Sequence, residues 1–294
     1  MKSSWHTSLR SWRAASAGML AAALWALAGS ASAQIATTKH NLGTASTQTN
    51  HVTTGTAEVC VFCHTPHGAD VTTANAPPLW NKRLATGATY TTYATLNTPS
   101  LDGEILPVGS ISVACLSCHD GTQAMDNIIN APGSGGYDPA GGGTNGLGYT
   151  WTGTVTADGL MNAGTIANLG TNLSNDHPIG IQYCGGGLTA TGTTVTGTCK
   201  DGDFTTTGLR TATINTNQVF WVETGAADGI KTRTDLPLYT RAFTGGSGPS
   251  VECGSCHDPH VAEGQVGPNS QVAGATFLRI SNASSAVCTT CHVK

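Results

Sequence analysis

A pair of cysteines separated by two residues and followed at once by a histidine occurs four times: Cys60-Val-Phe-Cys63-His64, Cys115-Leu-Ser-Cys118-His119, Cys253-Gly-Ser-Cys256-His257 and Cys288-Thr-Thr-Cys291-His292. Thiols at this spacing can add to the two vinyl groups of one porphyrin, and the adjoining histidine can then bind the iron from one face. Four copies predict four covalently bound c-type haems. Cys60, Cys63, Cys115, Cys118, Cys253, Cys256, Cys288 and Cys291 are the attachment points, and His64, His119, His257 and His292 the proximal iron ligands. A tetrahedral zinc site also uses CxxC pairs, but it needs no histidine directly after the second cysteine. A disulfide framework accounts for an even cysteine count in an exported chain and leaves the four histidines unexplained.

Each iron has one further axial position. Outside the motifs and the N-terminal leader stand His40, His51, His67, His177 and His260, with Met125 and Met161 as methionine candidates. Five histidines for four positions favour two histidines on every iron. Cys63-His64-Thr65-Pro66-His67 and Cys256-His257-Asp258-Pro259-His260 share the pattern CHxPH. Histidines three apart cannot comfortably bind one iron from opposite faces. His67 and His260 are therefore expected at a different iron from the histidine beside them, and the intervening proline stiffens each bridge. His177, in Asn175-Asp176-His177-Pro178, is expected as a third distal ligand, with Asp176 or a nearby carbonyl accepting its second ring proton. His40 is expected as the fourth and His51 as the spare. The plain alternative for each is a surface loop histidine.

The elements that must position these groups are sparse. Lys2, Arg10 and Arg13, the apolar stretch Gly18 to Gly29 and the Ala31-Ser32-Ala33 site read as a secretory signal over 1–33. The apolar run is too short for a comfortable membrane span, and no later segment approaches one. Losing Lys2, Arg10 and Arg13 takes the formal net charge from -4 to -7. No basic stripe marks a nucleic-acid partner. Charged residues make up 10% of the chain against a usual ~25%, a surface that opposes self-association only weakly. Residues 34–294 are expected to form one tetrahaem domain with a haem-free insert at about 127–250. Gly133-Ser134-Gly135-Gly136 and Gly141-Gly142-Gly143 mark loops or tight turns. Tyr149 to Val155 and Gln218 to Glu223 predict strands. Cys184 and Cys199 flank a turn-rich loop, and a disulfide closing it would contribute about 3 kcal/mol. Aromatic residues are only 6% of the chain. The expected fold is therefore mostly irregular coil around a haem-stack core, a multihaem cytochrome c with short helices at the CxxCH motifs and a few short β-strands. Its apoprotein should be unfolded or nearly so.

Lys39-His40-Asn41-Leu42, Cys60-Val-Phe-Cys63-His64-Thr65-Pro66-His67, Asn175-Asp176-His177-Pro178-Ile179 and Phe277-Leu-Arg-Ile-Ser-Asn282 before a terminal CxxCH resemble segments of secreted multihaem cytochromes. The nearest resemblance, over most of the mature chain, is to extracellular tetrahaem filament cytochromes of the outer-membrane cytochrome E type. It implies bis-histidine haems, little regular secondary structure, head-to-tail homopolymerisation into a conductive wire, and a ligand histidine that can cross between subunits. The corresponding expectation is electron transfer without substrate chemistry, hence no enzyme, in a secreted protein at the cell surface or beyond. Other redox proteins or extracellular acceptors would be its partners. A monomeric periplasmic shuttle is the alternative. A multihaem oxidoreductase would need a five-coordinate haem, which the histidine count disfavours.

Overall fold

Three of the four motifs sit on helices. In the structure, a computed structural model describing residues 34–72, 76–84, 90–133, 136–138, 146–260 and 277–293, helices run over Ser110–His119, Cys253–Cys256 and Ala286–Cys291. The first is long enough to bury Val113, Ala114 and Leu116. It ends on His119, whose place in the last turn suits the helix dipole when the ring is protonated. The four-residue helix at Cys253 is held at its start by a reciprocal capping box between Glu252 and Ser255. The first motif is a single turn, in which the Cys63 and His64 amides donate to the Cys60 carbonyl at 3.1 and 2.7 Å. The expected leader, the glycines Gly141–Gly143 and part of Gly133–Gly136 lie outside the described residues.

Among the described residues, most of the regular structure lies between the second and third motifs. After the short pair β1 (Asn130–Ala131) and β2 (Gly136–Tyr137) come β3 (Ile181–Gln182), β4 (Leu188–Thr191), β5 (Thr194–Gly197), β6 (Leu209–Ile214), β7 (Asn217–Val222), β8 (Leu236–Phe243) and β9 (Gly246–Val251). An antiparallel sheet runs in the order β3-β9-β8-β7-β6, and β4 and β5 form a separate hairpin. The β4–β5, β6–β7 and β8–β9 hairpins close with two-residue turns, whereas residues 223–235 connect β7 to β8. Asn215 and Thr216 between β6 and β7 both take positive φ, 48° and 68°, as the tight turns that match strand twist require.

The predicted strand over 218–223 coincides with β7 except for Glu223, which lies beyond its end. The one over 149–155 does not form. There Trp151 bridges only Val52, and Val155 only Met161, so alternation along the segment serves packing between loops. The sheet has an apolar core of its own, made by polypeptide, which the expectation of a haem-stack core did not include. Tyr183, Leu188, Leu209, Phe220, Val222, Leu236, Leu238 and Val251 are buried together by polypeptide. Each such side chain is worth about 1.5–3 kcal/mol of burial. Two smaller clusters lie under the first two motifs, one with Leu42, Val52, Phe62, Met125 and Ile128, the other with Trp80, Leu84 and Val113. Met125 and Met161 pack in the first of these clusters. Cys184 and Cys199 are joined by a disulfide, and their Cα atoms are 5.3 Å apart. Among the described residues no helix is long and apolar enough to cross a membrane.

Candidate functional site

The two CHxPH segments are built on the same backbone scaffold. In the first, the Thr65 amide donates to the Leu79 carbonyl at 2.9 Å and the Asn81 amide to the Cys63 carbonyl at 2.8 Å. In the second, the Asp258 amide donates to the Phe277 carbonyl at 2.8 Å and the Arg279 amide to the Cys256 carbonyl at 2.9 Å. His64 thereby bridges Trp80, and His257 bridges Leu278. Leu79 and Phe277, at matching places, both hold φ at 58°, a backbone region that side-chain-bearing residues rarely occupy. Each motif is thus clamped by a returning segment. His292 of the fourth motif is similarly bridged, to Phe204, whose ring lies 4.3 Å from it.

Tertiary folding brings two histidine pairs together. His40 lies 6.1 Å from His119, ring centre to ring centre, with the planes at 84°. His64 lies 6.1 Å from His260, with the planes at 20°. Two imidazoles bound to opposite faces of one metal, with metal–nitrogen bonds of about 2 Å each, have centres roughly 6 Å apart. Either relative orientation suits such binding, because each ring plane contains its own metal–nitrogen bond. In three of these four rings Nδ1 is already engaged. His64 Nδ1 meets the Pro78 carbonyl at 2.9 Å, His119 Nδ1 the Ala167 carbonyl at 2.8 Å, and His260 Nδ1 an Asp258 carboxylate oxygen at 3.1 Å. With Nδ1 donating, Nε2 is left as the acceptor a metal requires. Burial lowers the proton affinity of His64 and His119, and brings His40 down to about 4 with help from the nearby His119. Neutral imidazole is the ligating form.

These pairs refine the sequence expectations. His260 and His40 each meet a motif histidine, whereas His67 and His177 are exposed and no described ring stacks on either. The second ring nitrogen of His177 faces the carbonyl of Pro178 at 3.0 Å and makes no hydrogen bond to Asp176. His51 Nδ1 is 2.6 Å from the Gln48 carbonyl and tethers its loop to Thr152. His40 lies against His119 of its own chain.

The thiols also follow an order. All eight motif cysteines are free of disulfides. Cys63 and Cys118 pack on one cluster, and burial pushes the Cys63 thiol up to about 12, with Cys118 adding to the shift. Cys115 and Cys253 lie close enough to shift each other's thiols, Cys115 upward and Cys253 downward. Cys256 lies close enough to Cys288 and Cys291 for their charges to interact. Neighbouring motifs in sequence are therefore neighbours in space, one to two, two to three and three to four.

No family model, curated protein or solved structure matches this chain.

Several supporting residues carried little signal in the sequence. Asn81 holds the first motif, donating from Nδ2 to the Val61 and Asn130 carbonyls at 2.7 and 3.0 Å while its Oδ1 accepts from the Asn130 amide at 2.9 Å. Lys82 is fully buried and donates to the carbonyls of Ala124, Met125 and Asn127. Asp258 was visible only as the variable position of CHxPH. It is held down to about 2, because its hydrogen bonds from His260 and the nearby Arg279 outweigh its burial. Among the described residues, no group of three His, Cys, Asp or Glu side chains is arranged to hold a metal ion.

Proposed function

We propose that the protein is an electron carrier that holds four c-type haems, each on one CxxCH motif. The observation that carries this reading is the pairing of His119 with His40 and of His64 with His260, both at 6.1 Å. A zinc tetrahedron would need three or four converging protein ligands, whereas a porphyrin iron takes only two from the protein. Among the described residues, no third His, Cys, Asp or Glu joins either pair. The bound haems would supply reversible one-electron exchange at iron.

The chain's own residues have three tasks. The cysteines tether, the motif histidines bind from one side, and the returning segments 79–81 and 277–279 fix how far each motif can move. His40 and His260, facing His119 and His64, would complete the second and first irons. His67, His177 and His51 then remain for the third and fourth irons, within the chain or from a neighbouring copy. The order of motifs supports a path from the first to the fourth, and a heterologous, head-to-tail contact would extend it into an extracellular filament. A discrete periplasmic shuttle is the second reading, favoured by the placement of His40 within its own chain. Intact mass of secreted protein tests the haem reading. Four haem masses above the mature chain, with a low-spin spectrum, are expected; a haem-free, zinc-bearing product rules it out. Electron microscopy of the same material separates filament from shuttle.

A further inference from the structure

The insert between the second and third motifs carries no haem site, yet its sheet runs directly into the third motif. Strand β9 ends at Val251, one residue before the cap Glu252. The Glu252 side chain is fully buried and gathers three elements. Arg241 of β8 donates from Nη1 to Glu252 Oε1 at 2.6 Å, and from Nη2 to the Pro107 carbonyl at 3.0 Å, just ahead of the Ser110–His119 helix. Ser112 of that helix donates to Glu252 Oε2 at 2.5 Å and accepts from the Cys253 amide at 3.1 Å. Ser250 Oγ adds a bond to Glu252 Oε1 at 3.1 Å. Ser112 and Glu252 are 140 residues apart in sequence. The carboxylate is desolvated but fully satisfied, the condition under which a buried charge fixes geometry.

A second observation concerns shape. Gly254, between the two cysteines of the third motif, faces Tyr239 of β8 and Ile111 of the Ser110–His119 helix. A Cβ there would overlap the Tyr239 hydroxyl and stand 3.2 Å from Ile111 Cγ2. Gly109 is also close to Arg241, with a Cβ there standing 3.0 Å from Nη2. The second and third motifs are therefore locked at close approach, through the Cys253 amide on Ser112 and the Gly254 backbone against Ile111.

We propose that the insert sheet is a splint: Arg241, Glu252 and Ser112 set the separation of the second and third motifs and thereby the electronic contact between the two haem pairs. The inference rests on the four-haem reading. Electron exchange between cofactors falls steeply with their separation, so a small loss of register at this single junction would divide the path in two. Arg241, Glu252 and Ser112 are positioning residues, since none is an iron ligand or a site of attachment.

The test uses the mature haem-loaded protein with Glu252→Gln and Gly254→Ala. Three quantities are measured: haem count by intact mass, spin state by absorption, and inter-haem geometry by the Soret circular dichroism couplet. The rate of electron redistribution after substoichiometric flash photoreduction is the fourth. Both variants should keep four low-spin haems, alter the couplet, and slow redistribution by about an order of magnitude. An unchanged couplet and rate in variants with a lowered melting temperature would overturn the splint and leave a purely structural network. If Glu252→Gln does not accumulate, Arg241→Lys is read in the same way, because it keeps the charge but cannot fork to Pro107. A wild-type protein without four low-spin haems would instead defeat the four-haem reading itself.

Discussion

The two CHxPH segments share a sequence pattern, a backbone clamp and a strained residue at the matching position, but not a fate for their last histidine. His260 comes within 6.1 Å of His64, whereas His67 is exposed. The difference begins at the variable residue. Asp258 uses its carboxylate to accept from the His260 amide at 2.9 Å and to meet Nδ1 of the same ring, and Arg279 steadies it from behind. Thr65 has only a hydroxyl, which donates to the His67 carbonyl at 2.9 Å and leaves the imidazole unheld. A short motif thus sets what a histidine is able to do, and its variable residue and surroundings set which histidine it meets.

Replacing each histidine is the largest test of this contrast. His260→Ala should turn one of the four irons high-spin in dispersed, unassembled protein, whereas His67→Ala should leave the dispersed spectrum as in wild type. Equal high-spin fractions in both variants would make the two motifs equivalent and break the comparison.

Potential comes next. An anionic acceptor on Nδ1 makes an imidazole a stronger donor and favours ferric iron. Asp258→Asn should therefore raise the midpoint potential of one haem, by about 60 mV if the reduction constant changes tenfold. Thr65→Val should move none. Spectroelectrochemical titration reads both, and a fall in potential for Asp258→Asn would reverse the assigned role.

The clamps themselves differ in how they are bonded. Asn81→Ala removes side-chain bonds to Val61 and to both backbone groups of Asn130, leaving buried groups unpaired, and should cost about 3 kcal/mol. Arg279→Ala removes bonds to Gly254, Arg233 and Asp258. Its expected additional consequence is a rise in the same haem potential that Asp258→Asn moves. Denaturant melts and titrations of the pair check this, and a potential unmoved by Arg279→Ala would show that Asp258 needs no support.

The smallest effect concerns the strained position. Leu79 is half exposed, at 53%, and gains little from its side chain. Leu79→Gly should stabilise by about 0.5–1 kcal/mol through relief of the left-handed backbone. Phe277 stacks on His40 with ring centres 4.2 Å apart, so Phe277→Gly should destabilise and disturb the second iron instead. A stabilised Phe277→Gly variant with unaltered spectra would remove that stacking from the account.

Legibility followed the range of the interactions. The candidate attachment sites needed only five consecutive residues, and a strand such as 217–222 shows its β-branched and aromatic run directly. Trp151 and its neighbours carry the same alternation, yet their partners are loops, so pattern alone could not tell a sheet from a bridge. Asn81, Lys82 and Glu252 were silent because their roles rest on partners 20 to 140 residues away.

By itself the sequence determined the chemistry offered at each motif, two thiols and a histidine, since covalent neighbours cannot be separated by folding. It also determined that spare histidines were available in number. Only the tertiary structure decided that His40 faces His119, that His260 faces His64, and that Arg241, Glu252 and Ser112 hold the second motif to the third. Pairings across such distances depend on how loops close and sheets register, and no local spacing encodes either.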